Sequence, residues 1–406
     1  MTVAGSRSLS ASAPARVAGL LFAVAWGTNH FVPLLPLYRA ALDLTPTALA
    51  QMFGIYAVGL LPGLLLGGPL SDRLGRRGLV IPAALIALAG TVILGAGPPV
   101  FARLLLGRFV VGVGSGATFS AATAWVQDLA AASHAKGAGA RRAATALSAG
   151  FGGGPLVASL LAQWLPGPLL LPYAVQAVLL LLAIAQVFAL GASPPILPAD
   201  ADVRVPSSPV PGPPPRGFLP RGFGREVVPI APWVFGFPSI AFAVLPGTVA
   251  AHIGQYSVLF TGVVTATTLF SGLLVQTPLR ARSAQAAGRF GLGAGVLGLV
   301  IALLAVRFTA PAAVLLAAAV LGAGFGGCLV SGLRFVETNS VPAARARVTG
   351  IFYVLAYCGF AAPLLLAALS RRNGPGFALA CAAGLALTAF LFRCLDRATV
   401  PGAPPS

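Results

Sequence analysis

The sequence predicts an all-α integral membrane protein whose twelve transmembrane helices form two pseudo-symmetric six-helix halves. Three observations carry this. Of 406 residues, 57% are hydrophobic and 8% charged, whereas a soluble domain carries about 25% charged residues. With a mean hydropathy of +0.92, the chain has more apolar surface than a soluble fold can hide, so lipid must surround most of it. Apolar stretches of about 20 residues, the length that crosses a bilayer as a helix, recur along the whole chain, and short motifs of the first half return in the second.

Taken in order, residues 1–16 are Ser/Ala-rich and lightly basic and read as a cytoplasmic tail. Six spans at 17–38, 47–70, 78–96, 102–127, 143–165 and 168–191 make the first bundle, 17–191. Residues 192–226 hold Pro194, Pro195, Pro198, Pro206, Pro209, Pro211 and the run Pro213-Pro214-Pro215. Proline denies helix and sheet their donors, so an extended cytoplasmic linker is expected there. Spans at 227–250, 255–277, 287–306, 310–335, 347–369 and 375–395 make the second bundle, 227–395, and 396–406 is a second cytoplasmic tail. The alternating pattern of a membrane β-barrel is absent.

The net charge of +18 does not point to nucleic acid, because the basic residues collect in alternate loops instead of along one stripe. With both termini inside, the cytoplasmic side receives Arg7 and Arg16; Arg73, Arg76 and Arg77; Lys136, Arg141 and Arg142; Arg204, Arg216, Arg221 and Arg225; Arg280, Arg282 and Arg289; Arg334, Arg345 and Arg347; and Arg393 and Arg397. Only Arg39, Arg307, Arg371 and Arg372 fall outside, which fixes the expected orientation in a plasma membrane. The dominance of arginine, alanine, glycine and proline points to a GC-rich, bacterial source.

Cys328, Cys358, Cys381 and Cys394 have no metal or disulfide spacing. His30, His134 and His252 sit on different segments without an acid cluster, and no G-x-x-x-x-G-K-[ST] phosphate loop is present. Neither an enzyme nor an ATP-driven pump is expected, and no cofactor or metal.

The repeat lies at an offset of 209 or 210 residues: Trp26-Gly27 with Phe235-Gly236, Gly63 with Gly272, Pro69-Leu70 with Pro278-Leu279, and Gly112, Gly114, Gly116 with Gly322, Gly324, Gly326. Such duplicated bundles bind solutes near the midplane, where the halves meet.

Residues 68–77 concentrate charge between two apolar spans. Gly68, Leu70, Asp72, Arg73, Gly75, Arg76 and Arg77 together resemble the signature loop between helices 2 and 3 of the major facilitator superfamily of transporters. That resemblance covers residues 17–395 and implies the twelve-helix transporter fold. It also implies that Asp72 latches against the start of span 11 when the cytoplasmic side is shut; a plain topology anchor is the alternative. The second copy, Pro278-Leu279-Arg280-Ala281-Arg282, has lost the acid. Leu106-Gly107-Arg108 and the following glycines resemble a second family motif. An arginine at a helix centre costs about 2.5–3.5 kcal/mol on insertion scales and turns inward to a partner. Arg108 is thus either an anion- or proton-coupling residue or a buried tie to backbone carbonyls. Gly150, Gly154 and Pro155 resemble a helix-bending motif associated with antiporters, with Ala158-Ser159 in place of its closing glycines. Asp128, with Arg141 and Arg142, and Glu337, with Arg345 and Arg347, read as cytoplasmic charge networks.

Helical spacing places Trp26, Asn29, His30 and Pro33 on one face of span 1, Ser257, Thr261, Thr265 and Thr268 on one face of span 8, Ser159 with Gln163 on span 5, and Tyr353 with Tyr357 on span 11. These are the cavity candidates, and spans 3, 9 and 12 face lipid. His30 titrates near neutral pH when free, so protons are a candidate partner. No Asp or Glu lies mid-span, a departure from many drug/proton antiporters of the family, which leaves an uncoupled facilitator open. The reading is a monomeric secondary transporter that moves a small solute, with efflux of an amphipathic compound as the leading direction. Uptake, or a transport-dead sensor or scaffold, are its rivals.

Overall fold

The computed structural model describes residues 3–131, 138–190 and 219–395. His134, Lys136, the proline cluster and residues 396–406 lie outside the described residues. Every described element is helical.

The first half comprises α1 (Ser12–Leu42), α2 (Pro46–Leu74), α3 (Arg76–Gly95), α4 (Phe101–Ala131), α5 (Ala138–Trp164) and α6 (Leu171–Phe188). The second comprises α7 (Phe223–Thr248), α8 (Ala250–Leu279), α9 (Ala284–Arg307), α10 (Pro311–Asn339), α11 (342–373) and α12 (375–395). Local chemistry sets the ends. Thr45 and Ser283 accept hydrogen bonds from Ala48 N and Ala286 N, both at 3.2 Å, and so cap α2 and α9. The last two helices follow one another without a loop, so that eleven continuous membrane-length segments are seen among the described residues. Gly374 breaks the eleventh: its φ of 79° and ψ of 164° are outside any helix. Only glycine accepts that backbone at little cost, and Pro375 then starts α12. The expected twelve spans are recovered.

Two boundaries differ from the sequence reading. The helix that leads into α1 begins at Val3, inside the expected tail. Phe223 and Glu226, assigned to the linker, are docked on the second half: Phe223 is buried against Phe335, and Glu226 pairs with Arg393 of α12. Both contacts are non-local, so composition alone could not reveal them.

The repeat has a packing reason. A side chain at Gly112 or Gly116 would strike the α2 backbone, and one at Gly114 would strike Ala83 and Ala87 of α3. In the second half Gly322 and Gly326 meet the α8 backbone, and Gly324 meets Gly291 and Gly295 of α9. The same ladder thus seats α4 on α2 and α3, and α10 on α8 and α9. Close backbone approach of this kind replaces the hydrophobic effect, which lipid removes as a driving force between helices. The halves join along α5 with α8 and along α2 with α11. Large apolar side chains of α3 (Leu85, Val92), α6 (Val178, Leu182), α9 (Leu297, Leu304) and α12 (Leu385, Leu391) are exposed on the periphery; α6 joins the three spans the sequence assigned to lipid.

Gly114→Leu should lower the melting temperature of the detergent-solubilised protein by at least about 5 °C through overpacking. Gly384→Leu, where an added side chain meets nothing within 4 Å, should leave it unchanged in the same thermal scan.

Candidate functional site

Consecutive spans run in opposite directions, so the bundle has two ends: one with the Asp72–Arg77 loop, the Arg76 end, and one with the α5–α8 junction, the Gln163 end. Each is built differently.

Arg108 projects from α4 and is 1% exposed. Among the described residues no carboxylate meets it. Its Nε donates to Met52 O at 3.3 Å and Nη1 to Thr28 O at 3.0 Å, while the guanidinium lies 3.6 Å from the Phe31 ring and 4.3 Å from Tyr56. A desolvated cation over an aromatic face gains about 2 kcal/mol or more, and a hydrogen bond from a charged group about 1.5–3 kcal/mol. Those terms together offset the cost of a buried arginine. From this centre ring contacts extend both ways. Phe31 meets Phe53 (5.1 Å between centroids), which stacks on Phe242 of α7 (5.9 Å). Tyr56 meets Phe360 of α11 (6.4 Å), which stacks on Phe235 of α7 (5.0 Å), itself 4.5 Å from Tyr357. Tyr353 continues the series, 6.3 Å from Tyr357 and 5.4 Å from Phe352. One series of rings, with a guanidinium at its centre, crosses between the halves twice.

The α1 face expected to be uniform is divided. Ala15 and Gly19 are exposed and Phe22, Trp26 and Asn29 partly exposed, a stripe at helical spacing whose exposure falls toward the Gln163 end. His30 and Pro33 are fully buried, a correction to their place in the cavity. The helix ends at Asn29, and the following turn carries the imidazole against Tyr173 of α6, 4.7 Å between rings. Nδ1 lies 2.8 Å from Gly27 O; a carbonyl only accepts, so Nδ1 carries the proton and Nε2 a lone pair. Nε2 has no partner among the described residues. Gly150 and Gly154 bring α5 onto the α1 backbone at Phe22 and Trp26, so these glycines set where the indole sits. Pro155 is buried within the same continuous helix.

Thr265 is also corrected: it is buried and donates to Thr261 O at 2.7 Å, as Thr261 does to Ser257 O and Thr268 to Val264 O. The stripe satisfies its own backbone. Gln163 spans the halves, with Nε2 donating to Gln255 O at 3.0 Å and Oε1 accepting from Leu259 N at 3.4 Å. Tyr353 and Tyr357 are partly exposed.

At the other end, Arg76 is a hub. It pairs with Asp72 (2.7 Å), donates to Ser71 Oγ (2.6 Å) and binds Asp128 of α4 (3.0 Å). Arg77 donates to Phe188 O of α6 at 2.8 Å and lies over the Phe188 ring. Gly75, at φ 79°, makes the sharp exit from α2. Gly68 approaches Ser120, while Leu70 and Arg73 are exposed. Asp128 therefore belongs to the signature loop, and Arg141 and Arg142 are exposed. Asp72 has 65% of its side chain exposed, and its ion pair among the described residues is internal to its own half. The second half closes its equivalent end differently: Arg334 donates to Arg280 O, Arg345 to Glu337 O at 3.2 Å, and buried Arg393 pairs with Glu226. Sequence reading missed this pair and the Tyr38–Tyr173 hydroxyl bond of 2.6 Å.

A profile of the Major Facilitator Superfamily matches residues 17–362. The bacillibactin exporter of Bacillus subtilis is 30% identical over 34% of this chain and 36% of its own length. The probable polyol transporter 3 of Arabidopsis thaliana is 34% identical over 24% of this chain and 19% of its own. The multidrug resistance protein MdtL of Escherichia coli is 29% identical over 25% of this chain and 26% of its own. The chain thus aligns with about a third or less of each of these curated relatives. Among solved structures, the nucleoside transporter NupG has a TM-score of 0.70 at 14% identity, covering 96% of this chain and 99% of that one. An auto inhibited POT family peptide transporter has a TM-score of 0.71 at 15% identity, covering 97% and 98%. At such identity these structures speak to fold alone.

Gln163→Ala should loosen the Gln163 end. A cysteine placed at Phe53, buried in the native contact, should react with maleimide several-fold faster in purified Gln163→Ala than in the parent. Equal rates would remove Gln163 from the closure.

Proposed function

This chain belongs to the Major Facilitator Superfamily of membrane transporters, and from that premise we propose that it exports a small amphipathic solute by alternating access. The carrying observation is the asymmetry of the two ends. Rings and the Gln163 amide join the halves at one end, while at the other Asp72 is exposed and paired within its own half. The arginine-rich loops support a cytoplasmic place for that second end and for both termini. A gap between the halves then opens inward, the loading position of an exporter. The printed names of the bacillibactin exporter and of MdtL favour this direction; that of the polyol transporter is the reason to keep uptake as the second reading.

In the alternate state the Gln163 end parts and the Arg76 end closes. Asp72 leaves Arg76 for the start of α11, which its exposure permits and the attraction of a helix N-terminus for negative charge favours. The proposal includes a proton on His30 as the coupling step. Its Nε2 is buried without a hydrogen-bond partner among the described residues, and a charged imidazole there would repel Arg108 and loosen the closed rings. The protein acts as a monomer in the plasma membrane.

Bacteria expressing the chain should retain less of at least one of two dyes, uncharged Nile red or cationic ethidium, than cells expressing Asp72→Asn, in which export should fall at least about tenfold at equal membrane abundance. Export that survives Asp72→Asn unchanged would remove the gate role. His30→Gln should leave export running but insensitive to a protonophore; retained sensitivity would exclude His30 as the coupling site.

A further inference from the structure

The gap between the halves that the transport reading requires would have a definite chemistry. All eight acidic residues of the sequence stand at helix ends or beyond them. Asp43 follows α1, Asp72, Asp128 and Glu337 occupy the last turns of α2, α4 and α10, and Glu226 sits at the start of α7. Asp200, Asp202 and Asp396 belong to segments outside the described residues. Among the described residues the middle of the membrane therefore holds no carboxylate, while it does hold Arg108. A cation entering the gap would lose its hydration and meet no counter-charge, and the field it met would be positive.

What the gap offers instead is flat and polar at its edges. Phe235, Tyr357 and Phe360 are nearly parallel, with interplanar angles of 13–16° and centroids 4.5–5.8 Å apart. Offset stacking is the arrangement aromatic faces prefer, so such a wall can continue onto a flat guest. Phe235 and Tyr357 are partly exposed. On α11 the exposed residues Val354, Cys358, Ala361 and Leu365 lie about a quarter turn away from Tyr353 and Tyr357, and Tyr357 stacks with Phe235 and Phe360. Trp26 stands at the repeat position of Phe235 on the opposing half. Its indole, the Asn29 amide and the hydroxyls of Tyr353 and Tyr357 are uncharged hydrogen-bonding groups, and none is engaged by a partner among the described residues.

We infer that the transported solute is a planar aromatic molecule without positive charge, stacked on the Phe235–Tyr357 wall and hydrogen-bonded at its edge by Trp26, Asn29, Tyr353 or Tyr357. This rests on the transport reading above and gives it a substrate class. The closely related drug-like cations are excluded by the missing carboxylate.

Two probes of the same shape test it: acridone, neutral with a carbonyl and an N–H on its edges, and N-methylacridinium, its cationic counterpart. Equilibrium dialysis against the purified full-length protein should give at least about tenfold tighter binding of acridone. Tyr357→Ala should lose that preference. Asn29→Asp, which adds the absent carboxylate at a partly exposed site, should raise N-methylacridinium affinity at least about tenfold. Equal or tighter binding of the cation to the parent, or binding of neither probe, would overturn the class. Export of ethidium alone in the dye assay would do the same while leaving transport intact. Acridone binding without any Asp72-dependent export would overturn transport and leave the binding class standing.

Discussion

A guanidinium in the middle of a bilayer must be solvated by the protein that carries it. Among the described residues no carboxylate does so around Arg108; two backbone carbonyls and two aromatic faces do. Those carbonyls belong to α1 and α2, so the charge on α4 fixes both neighbours. The rings that sandwich it continue into Phe53 and Tyr56 contacts with Phe242 and Phe360, on the other half. Solvating one buried cation and holding one end of the bundle shut are therefore parts of the same arrangement. A step that reorients the guanidinium must disturb the contacts between halves, and parting the halves must expose the guanidinium.

The repeat supplies the frame in which this asymmetry can work. Glycine ladders seat α4 and α10 in equivalent grooves, so each half is rigid for the same reason, and Trp26 and Phe235 fall at corresponding places. The halves then diverge in charge. In the first, Arg76 ties α2, α3 and α4 together through Asp72 and Asp128. In the second, that role passes to the buried Arg393–Glu226 pair between α12 and α7. A buried pair of this kind contributes little over a hydrophobic contact, yet removing one partner is costly. The second half is thus braced internally, while the first keeps an exposed acid at its rim.

Much of this was legible in the sequence because it is local. Span length and apolarity mark helices residue by residue, and the expected start of the last span at 375 coincides with the break at Gly374. The spacing of Gly68 to Arg77 identified the loop, and an arginine within an apolar span identified Arg108. What failed was non-local or degenerate. A threonine stripe looks the same whether it faces a cavity or bonds its own carbonyls, and Thr265 does the second. His30 shares a helical face with Trp26 only while the helix continues, and it stops at Asn29. Glu226 and Arg393 are 167 residues apart, and no short pattern joins them. Tyr56 was invisible as an isolated tyrosine, although a buried arginine without an acid calls for aromatic neighbours.

The measurement that bears most directly on the central role of Arg108 is the distance across the Gln163 end. Spin labels at Ala40→Cys and Ala251→Cys, both exposed positions beyond the ring contacts, would be placed in a cysteine-free background and read by pulsed electron paramagnetic resonance. The account predicts one short, narrow distribution in the parent and a longer, broader one in Arg108→Leu. An unchanged distribution in a folded Arg108→Leu protein would show that the end is held shut without the guanidinium, and would contradict it.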